Sequence, residues 1–146
     1  MKHDKNFLAL KEMAYGGVVI NRQGRILLRE PKKHYDNYVW TFPKGRPKEM
    51  QKPGETQEET ALREFLEETG VKAEIKERLP SVYEGGTTET IFFLMSLIED
   101  TGKFDGETQS VRWVTAEEAK DLISMTTNPM GRKRDLRVLE EALRLI

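Results

Sequence analysis

The segment from Thr56 to Gly70 constrains the chain more than any other. Thr56-Gln57-Glu58-Glu59 has the form of a capping box, in which a threonine hydroxyl and a glutamate three residues on satisfy the amide groups left unpaired at a helix start. Gly70 supplies the left-handed residue that ends such a helix. At about 100° per residue, Leu62, Phe65, Leu66 and Thr69 share one face while Glu64, Glu67 and Glu68 crowd the opposite one. The apolar stripe must be buried on another layer. The carboxylates, at spacings of three and four, repel by a few tenths of a kcal/mol per pair. Two arrangements accommodate that: a solvated acidic face, or a hard divalent cation such as Mg²⁺ or Mn²⁺, which takes carboxylate oxygens and keeps waters that a phosphate oxygen can replace.

The layer that receives this helix is readable on both sides of it. Ala14 to Ile20 and Arg25 to Arg29 read as a hairpin around Asn21-Arg22-Gln23-Gly24, and Tyr38 to Phe42 as a short aromatic strand ended by Pro43. Arg46 to Gly54 is a loop. Val71 to Glu77, Thr88 to Leu97 and Val111 to Val114 read as further strands, and Gly85-Gly86-Thr87-Thr88 as a hairpin turn. Thr115-Ala116-Glu117-Glu118 opens a second helix to about Ile123, and Leu136, Leu139, Leu143 and Ile146 give a terminal amphipathic helix. The expected fold class is α+β: an α/β/α sandwich, with a mixed sheet covered by helices. At 146 residues and without repeats or linkers, one domain over 1–146 is expected, with about 1–12 as an N-terminal arm.

Composition excludes several chemistries. With no cysteine, disulfides, zinc-thiolate sites, iron-sulfur clusters and cysteine nucleophiles are out, and a cytoplasmic setting is expected. No apolar run approaches the roughly 20 residues of a membrane span, and the start lacks the apolar core of a signal peptide. The net charge of −1 gives no reason to expect nucleic acid. Locally, Arg22 to Lys48 holds eight basic residues against two acidic ones, and Glu55 to Glu68 holds six glutamates and one arginine. A polyanion held beside a cation would suit that pairing; so would ordinary solvated surface.

Glu55, seven residues, then Arg63-Glu64-Phe65-Leu66-Glu67-Glu68-Thr69-Gly70-Val71 resembles the motif of the Nudix hydrolases. The likeness runs from Gly16-Gly17-Val18-Val19 through Trp40-Thr41-Phe42-Pro43-Lys44-Gly45 to Trp113 and Glu117-Glu118-Ala119, and the wording Phe-Pro-Lys-Gly is similar to the branch acting on diadenosine polyphosphates and inositol pyrophosphates. One departure concerns Gly45. Nine residues separate it from Glu55, where the family usually has five, which reads as a four-residue lengthening of the loop.

The resemblance implies a Nudix fold with Glu64, Glu67 and Glu68 as metal ligands, joined by the Gly45 carbonyl, and with Arg63 and Glu55 supporting Glu64. The general base is Glu64 or Glu107, six residues before Trp113. Lys44 and Arg46 are candidate contacts to a polyphosphate tail, and Tyr35, Tyr38 and Tyr83 to a base. His34 is a possible phosphate contact or proton donor. Arg132-Lys133-Arg134 could touch a nucleotide chain, although a solvated helix start is the simpler reading.

The expected function is Mg²⁺-dependent cleavage of a pyrophosphate bond in a nucleoside diphosphate linked to another group, favouring a dinucleoside polyphosphate such as diadenosine tetraphosphate. Alternatives are a MutT-like pyrophosphohydrolase of oxidised nucleoside triphosphates, an RNA 5′ pyrophosphohydrolase, and a nucleotide-binding module without catalysis. The expected partner is a small-molecule nucleotide, with no membrane, RNA not favoured, and a monomer or homodimer.

Overall fold

The computed structural model describes residues 12–48 and 52–146. Seven strands, β1 (Glu12–Ile20), β2 (Ile26–Pro31), β3 (Lys44–Gly45), β4 (Val71–Arg78), β5 (Tyr83–Glu84), β6 (Thr88–Asp100) and β7 (Thr108–Val114), form one sheet, and α1 (Gln57–Thr69), α2 (Ala116–Ile123) and α3 (Pro129–Arg144) cover it. The main path is β4-β6-β1-β2-β7, with β3 on β1 and β5 on β6. β1 runs parallel to β6, from Glu12 opposite Thr88 to Ile20 opposite Ser96; the other pairs among the described strands are antiparallel.

The mixed sheet lies between two helical layers, the α/β/α arrangement that the sequence predicts. On one face Ala61 and Phe65 of α1 pack with Tyr15, Val19, Leu27, Ile91, Phe93 and Met95. On the other, Ala119, Ile123, Val138, Leu139 and Ala142 of α2 and α3 pack with Val18, Ile26, Leu28, Phe92 and Val114. β1 alternates between the two clusters and is buried on both sides, as a strand in the middle of a covered sheet must be. The capping box of α1 is complete: Glu59 N donates to Thr56 Oγ1 at 3.1 Å and Thr56 N to Glu59 Oε1 at 2.9 Å. At the other end Gly70 adopts φ 77°, in the left-handed region.

Four features depart from the sequence reading. Tyr38 to Phe42 is not a strand: only Thr41 pairs, as a single bridge to Arg29. Its neighbours' backbone bonds go elsewhere, since Val39 N donates to the hydroxyl of Thr126 in the α2–α3 loop, and Pro43 has no amide to offer. Lys32–Asn37 forms an irregular 3₁₀ segment with Lys33, His34, Asp36 and Asn37 all at positive φ, which no strand or helix period signals. The terminal helix starts at Pro129, capped by the Asn128 side chain, well before its leucine repeat begins. β3 and β5 are too short to show a period. The N-terminal arm and residues 49–51 of the loop before α1 lie outside the described residues.

Candidate active site

Arg63 organises the outer face of α1. Its Nε donates to Glu55 Oε2 at 2.7 Å and its Nη2 to Glu55 Oε1 at 3.0 Å, a two-pronged contact that a guanidinium makes well. The same side chain reaches Glu64 Oε1 at 2.7 Å and Glu67 Oε1 at 3.1 Å through Nη1, and the Arg46 carbonyl at 3.1 Å through Nη2. The Arg63 fork, with help from the Thr60 hydroxyl, holds the Glu55 carboxyl down to about 2. One arginine thus fixes three glutamates and ties the loop after Gly45 to the helix.

Gly45 lies directly against Glu64. A Cβ built on Gly45 would overlap the Glu64 carboxylate, so any larger residue would push that side chain off its Arg63 contact, and the lengthened loop has not carried Gly45 away from the helix. β3 holds it there, Gly45 opposite Tyr15 of β1. Glu68 differs from its expected place. The helical wheel puts it on the acidic outer face, yet it is 5% exposed, because it sits at the border of the apolar stripe beneath the β6–β7 loop. Thr108 Oγ1 donates to the Glu68 carbonyl at 2.7 Å, and Asp105 N to the Glu67 carbonyl at 2.7 Å.

Burial pushes the Glu68 carboxyl well above the ordinary carboxylate range, the Arg29 cation opposes that, and the neighbouring Glu64 carboxylate adds to it. Arg29 Nε is 3.4 Å from Glu68 Oε1 but donates its hydrogen to Thr108 Oγ1 at 3.0 Å, which leaves Glu68 Oε1 buried without a donor. Among the described residues no three acidic or histidine side chains form a ready-made cage, since Glu64 and Glu67 turn onto Arg63 and Glu67 also onto Lys48. The donor set still fits a hard cation, which is commonly held by one or two carboxylates and completed by water and substrate phosphates. Two adjacent carboxylates, an orphan oxygen and a close backbone at Gly45 are what such an ion needs.

A cavity of about 810 Å³ opens beside this cluster, bordered by Gly45 itself. Five cations border it (Arg29, Lys32, Lys44, Arg46, Arg134), against the carboxylates of Asp36 and Glu107. Burial pulls the Lys44 ammonium below its ordinary range, and the nearby Arg134 charge adds to that. Arg46 pairs with Glu12. Tyr38 lines the wall under Arg134, and Tyr35, 79% exposed, stands at the rim. Glu107 is positioned through its backbone: its carbonyl accepts from Arg29 Nη2 and from Lys32 N, both at 2.9 Å, and its amide donates to Asp105 Oδ1. Its carboxylate has no hydrogen bond or ion pair among the described residues.

Tyr83 does not belong to the cavity. It is 1% exposed, packs edge-on against Phe92 in the core, and donates its hydroxyl to Glu141 Oε1 at 2.5 Å. The reading of Tyr83 as a base contact is corrected: β5 pairs with β6 and turns its ring inward beneath α3. His34 contacts Glu30 at 2.8 Å and does not border the cavity, whereas Gly86, Thr87 and Thr88 of the β5–β6 turn do.

Two site residues escaped the sequence reading, Arg29 and Thr108, and Arg134 entered it only within a basic run whose simpler reading is a solvated helix start. Arg134 was recoverable. With Asp135 it falls on the same helical face as Gly131, Val138, Leu139 and Ala142, which is the buried face of α3.

A family model, the NUDIX domain, matches residues 10–136. The chain belongs to the Nudix hydrolase family. As a Nudix protein it is a pyrophosphohydrolase. A MutT-like protein of Streptomyces ambofaciens is 31% identical over 115 residues, covering 77% of this chain and 69% of the relative. A Bacillus subtilis (strain 168) protein provisionally named an 8-oxo-dGTP diphosphatase is 36% identical over 101 residues, covering 67% of this chain and 62% of its own length. Among solved structures, a C. elegans Ap4A hydrolase in a binary complex shares the Nudix fold with a TM-score of 0.66 at 24% identity, over 92% of this chain and 96% of that one.

Proposed function

We propose that this Nudix protein is a Mg²⁺-dependent hydrolase acting on the polyphosphate bridge of a nucleotide, with a dinucleoside polyphosphate such as diadenosine tetraphosphate as its substrate. The observation that carries this reading is the cavity: about 810 Å³, lined by five cations and bordered by the glycine that abuts Glu64. That volume falls in the upper part of the roughly 300–1,000 Å³ range of small-molecule sites. A single phosphate needs neither the room nor the charge.

Glu64, Glu67, Glu68 and the Gly45 carbonyl would hold the ion. When bound, Mg²⁺ supplies charge neutralisation on the bridging phosphates and acidifies a coordinated water. The chain's own residues do the rest. Arg63 and Glu55 keep Glu64 in place. Glu107, which borders the cavity and whose carboxylate is uncommitted among the described residues, accepts the proton of the attacking water, an assignment favoured over Glu64 because Glu64 is already engaged by Arg63. Lys44 and Arg46 draw in the phosphate chain, and Tyr38 with Tyr35 offers ring faces to a base. No helix among the described residues is long and apolar enough to cross a membrane; the setting proposed with this activity is the cytoplasm, the protein acting on a small molecule as a monomer or homodimer.

A second reading, cleavage of an oxidised nucleoside triphosphate, is favoured by the name of the B. subtilis relative. The deciding experiment offers the purified protein, with Mg²⁺, diadenosine tetraphosphate, 8-oxo-dGTP, ADP-ribose and 5′-triphosphorylated RNA, and separates the products. Rapid cleavage of the first, with ATP and AMP or two ADP as products, supports the proposal. Preference for 8-oxo-dGTP replaces it with the second reading. Glu107→Gln is expected to lower kcat at least tenfold, the usual scale for a proton-transfer group; a loss below twofold removes Glu107 from the mechanism.

A further inference from the structure

Arg134 is a guanidinium held still by its neighbours with one nitrogen left unpaired. It is 4% exposed and borders the cavity from α3. Its Nε donates to Asp135 Oδ1 at 3.0 Å, and Asp135, wholly buried, accepts the Thr41 hydroxyl on its other oxygen at 2.5 Å. The guanidinium carbon stands 5.3 Å from the centre of the Tyr38 ring. These contacts fix the plane of the group, yet Nη2 is buried with no hydrogen-bond partner. A buried donor left unmade destabilises the fold, and more so when the group is charged. Lys44 borders the same cavity, and its ammonium has no hydrogen bond or ion pair among the described residues. In β3 it directly precedes Gly45, so it enters the cavity wall from the side of the glutamate cluster while Arg134 enters from α3.

We propose that Arg134 binds a phosphoryl group of the substrate other than the one under attack, sharing that anion with Lys44 in the half of the cavity lined by α3. The assignment rests on the pyrophosphohydrolase reading for the place of the attacked group, which must lie against Glu64, Glu68 and Gly45. A purine carbonyl would satisfy Nη2 but leave the Lys44 ammonium without a hydrogen-bond acceptor, whereas a phosphoryl group, with several oxygens and a negative charge, answers both. The site thus selects substrates whose phosphate chain extends past the scissile bond, and treats a bare diphosphate linkage as too short.

The test uses the full chain with Mg²⁺ and two inorganic probes, tripolyphosphate and pyrophosphate, whose binding is followed by calorimetry. Arg134→Gln is expected to weaken tripolyphosphate at least tenfold and pyrophosphate less than threefold, with KM for diadenosine tetraphosphate rising in step and kcat within about threefold. Because that change strands Asp135, Arg134→Lys, which keeps a cation beside it, is read alongside and is expected to lose at least fivefold for tripolyphosphate; Lys44→Gln removes the other half of the anion site and is expected to weaken the same probe tenfold. Unchanged tripolyphosphate binding in folded Arg134→Lys and Lys44→Gln overturns the proposal, as does an Arg134→Lys effect that follows the nucleobase and not the number of phosphates. If the unaltered chain binds tripolyphosphate through Arg134 but cleaves no nucleotide, the proposed function fails and the anion site stands.

Discussion

Tyr38 and Tyr83 are alike in the sequence, and the fold separates them. Tyr38 borders the cavity beneath a guanidinium, while Tyr83 is clamped by Phe92, Glu141 and Arg137 at the joint between β5 and α3. Burial and the Glu141 carboxylate push the Tyr83 hydroxyl well above its ordinary range, so it stays protonated and donates. Tyr83→Phe should lower stability by about 1.5–3 kcal/mol, the cost of a hydrogen bond to a charged acceptor, and leave KM within twofold; thermal melting and steady-state kinetics on one preparation check both halves. At this scale the sequence was legible where chemistry is written in spacing. Glu55, Arg63, Glu64 and Glu67 stand at intervals that bring them together on one helix and its entry loop. It was not legible where a role depends on which layer covers a side chain: Glu68 looked solvent-facing and Arg134 looked like surface, and both are buried by elements distant in the chain.

α1 carries the glutamates proposed to hold the metal, and its ends decide how firmly they are held. Both hydrogen bonds of the Thr56–Glu59 box are made, one residue after Glu55 enters the Arg63 fork. Thr56→Ala removes the side-chain half of that box and should cost about 1 kcal/mol, lowering the melting temperature by roughly 3–5 °C for a chain of this size; a calorimetric scan that shows no shift would place the helix start under the control of packing alone. Helices and long strands were legible because capping boxes, glycine stops and apolar periods are local signals. The aromatic run Tyr38 to Phe42 misled for the opposite reason: Trp40 and Phe42 alternate as a strand would and are both buried, but only Thr41 pairs with a strand, and Val39 N turns to the Thr126 hydroxyl, set by the α2–α3 loop.

For the molecule as a whole, the Glu55–Arg63 fork couples stability to acidity. Glu55 titrates at about 2 in the folded chain, far below a carboxylate free in the unfolded one. A group depressed in this way contributes fully above its unfolded value, about 4.5, and loses the contribution as pH falls toward 2. The side chain is almost wholly shielded from water, so solvent screens the pair little. The contribution is up to about 3 kcal/mol. Glu55→Gln should flatten the fall in urea stability between pH 5 and pH 2 (roughly the window of that titration) and lower stability at pH 7; an unchanged slope would assign the acid sensitivity to other carboxylates.

The parallel seam between β1 and β6 also has a temporal side. β1 is apolar on both faces, and the neighbour that covers most of its length, residues 88–96, is made long after it. Contacts so distant in sequence are slow to form, because the closing loop must lose its freedom first. A nascent chain that has emerged only as far as α1 therefore holds β1 with its short pairings to β2 and β3 but with the whole β6 edge bare, and an acidic helix with only part of a sheet to lie on. Its productive folding waits until β6 leaves the ribosome, and during that interval the N-terminal half is a natural client for a holding chaperone.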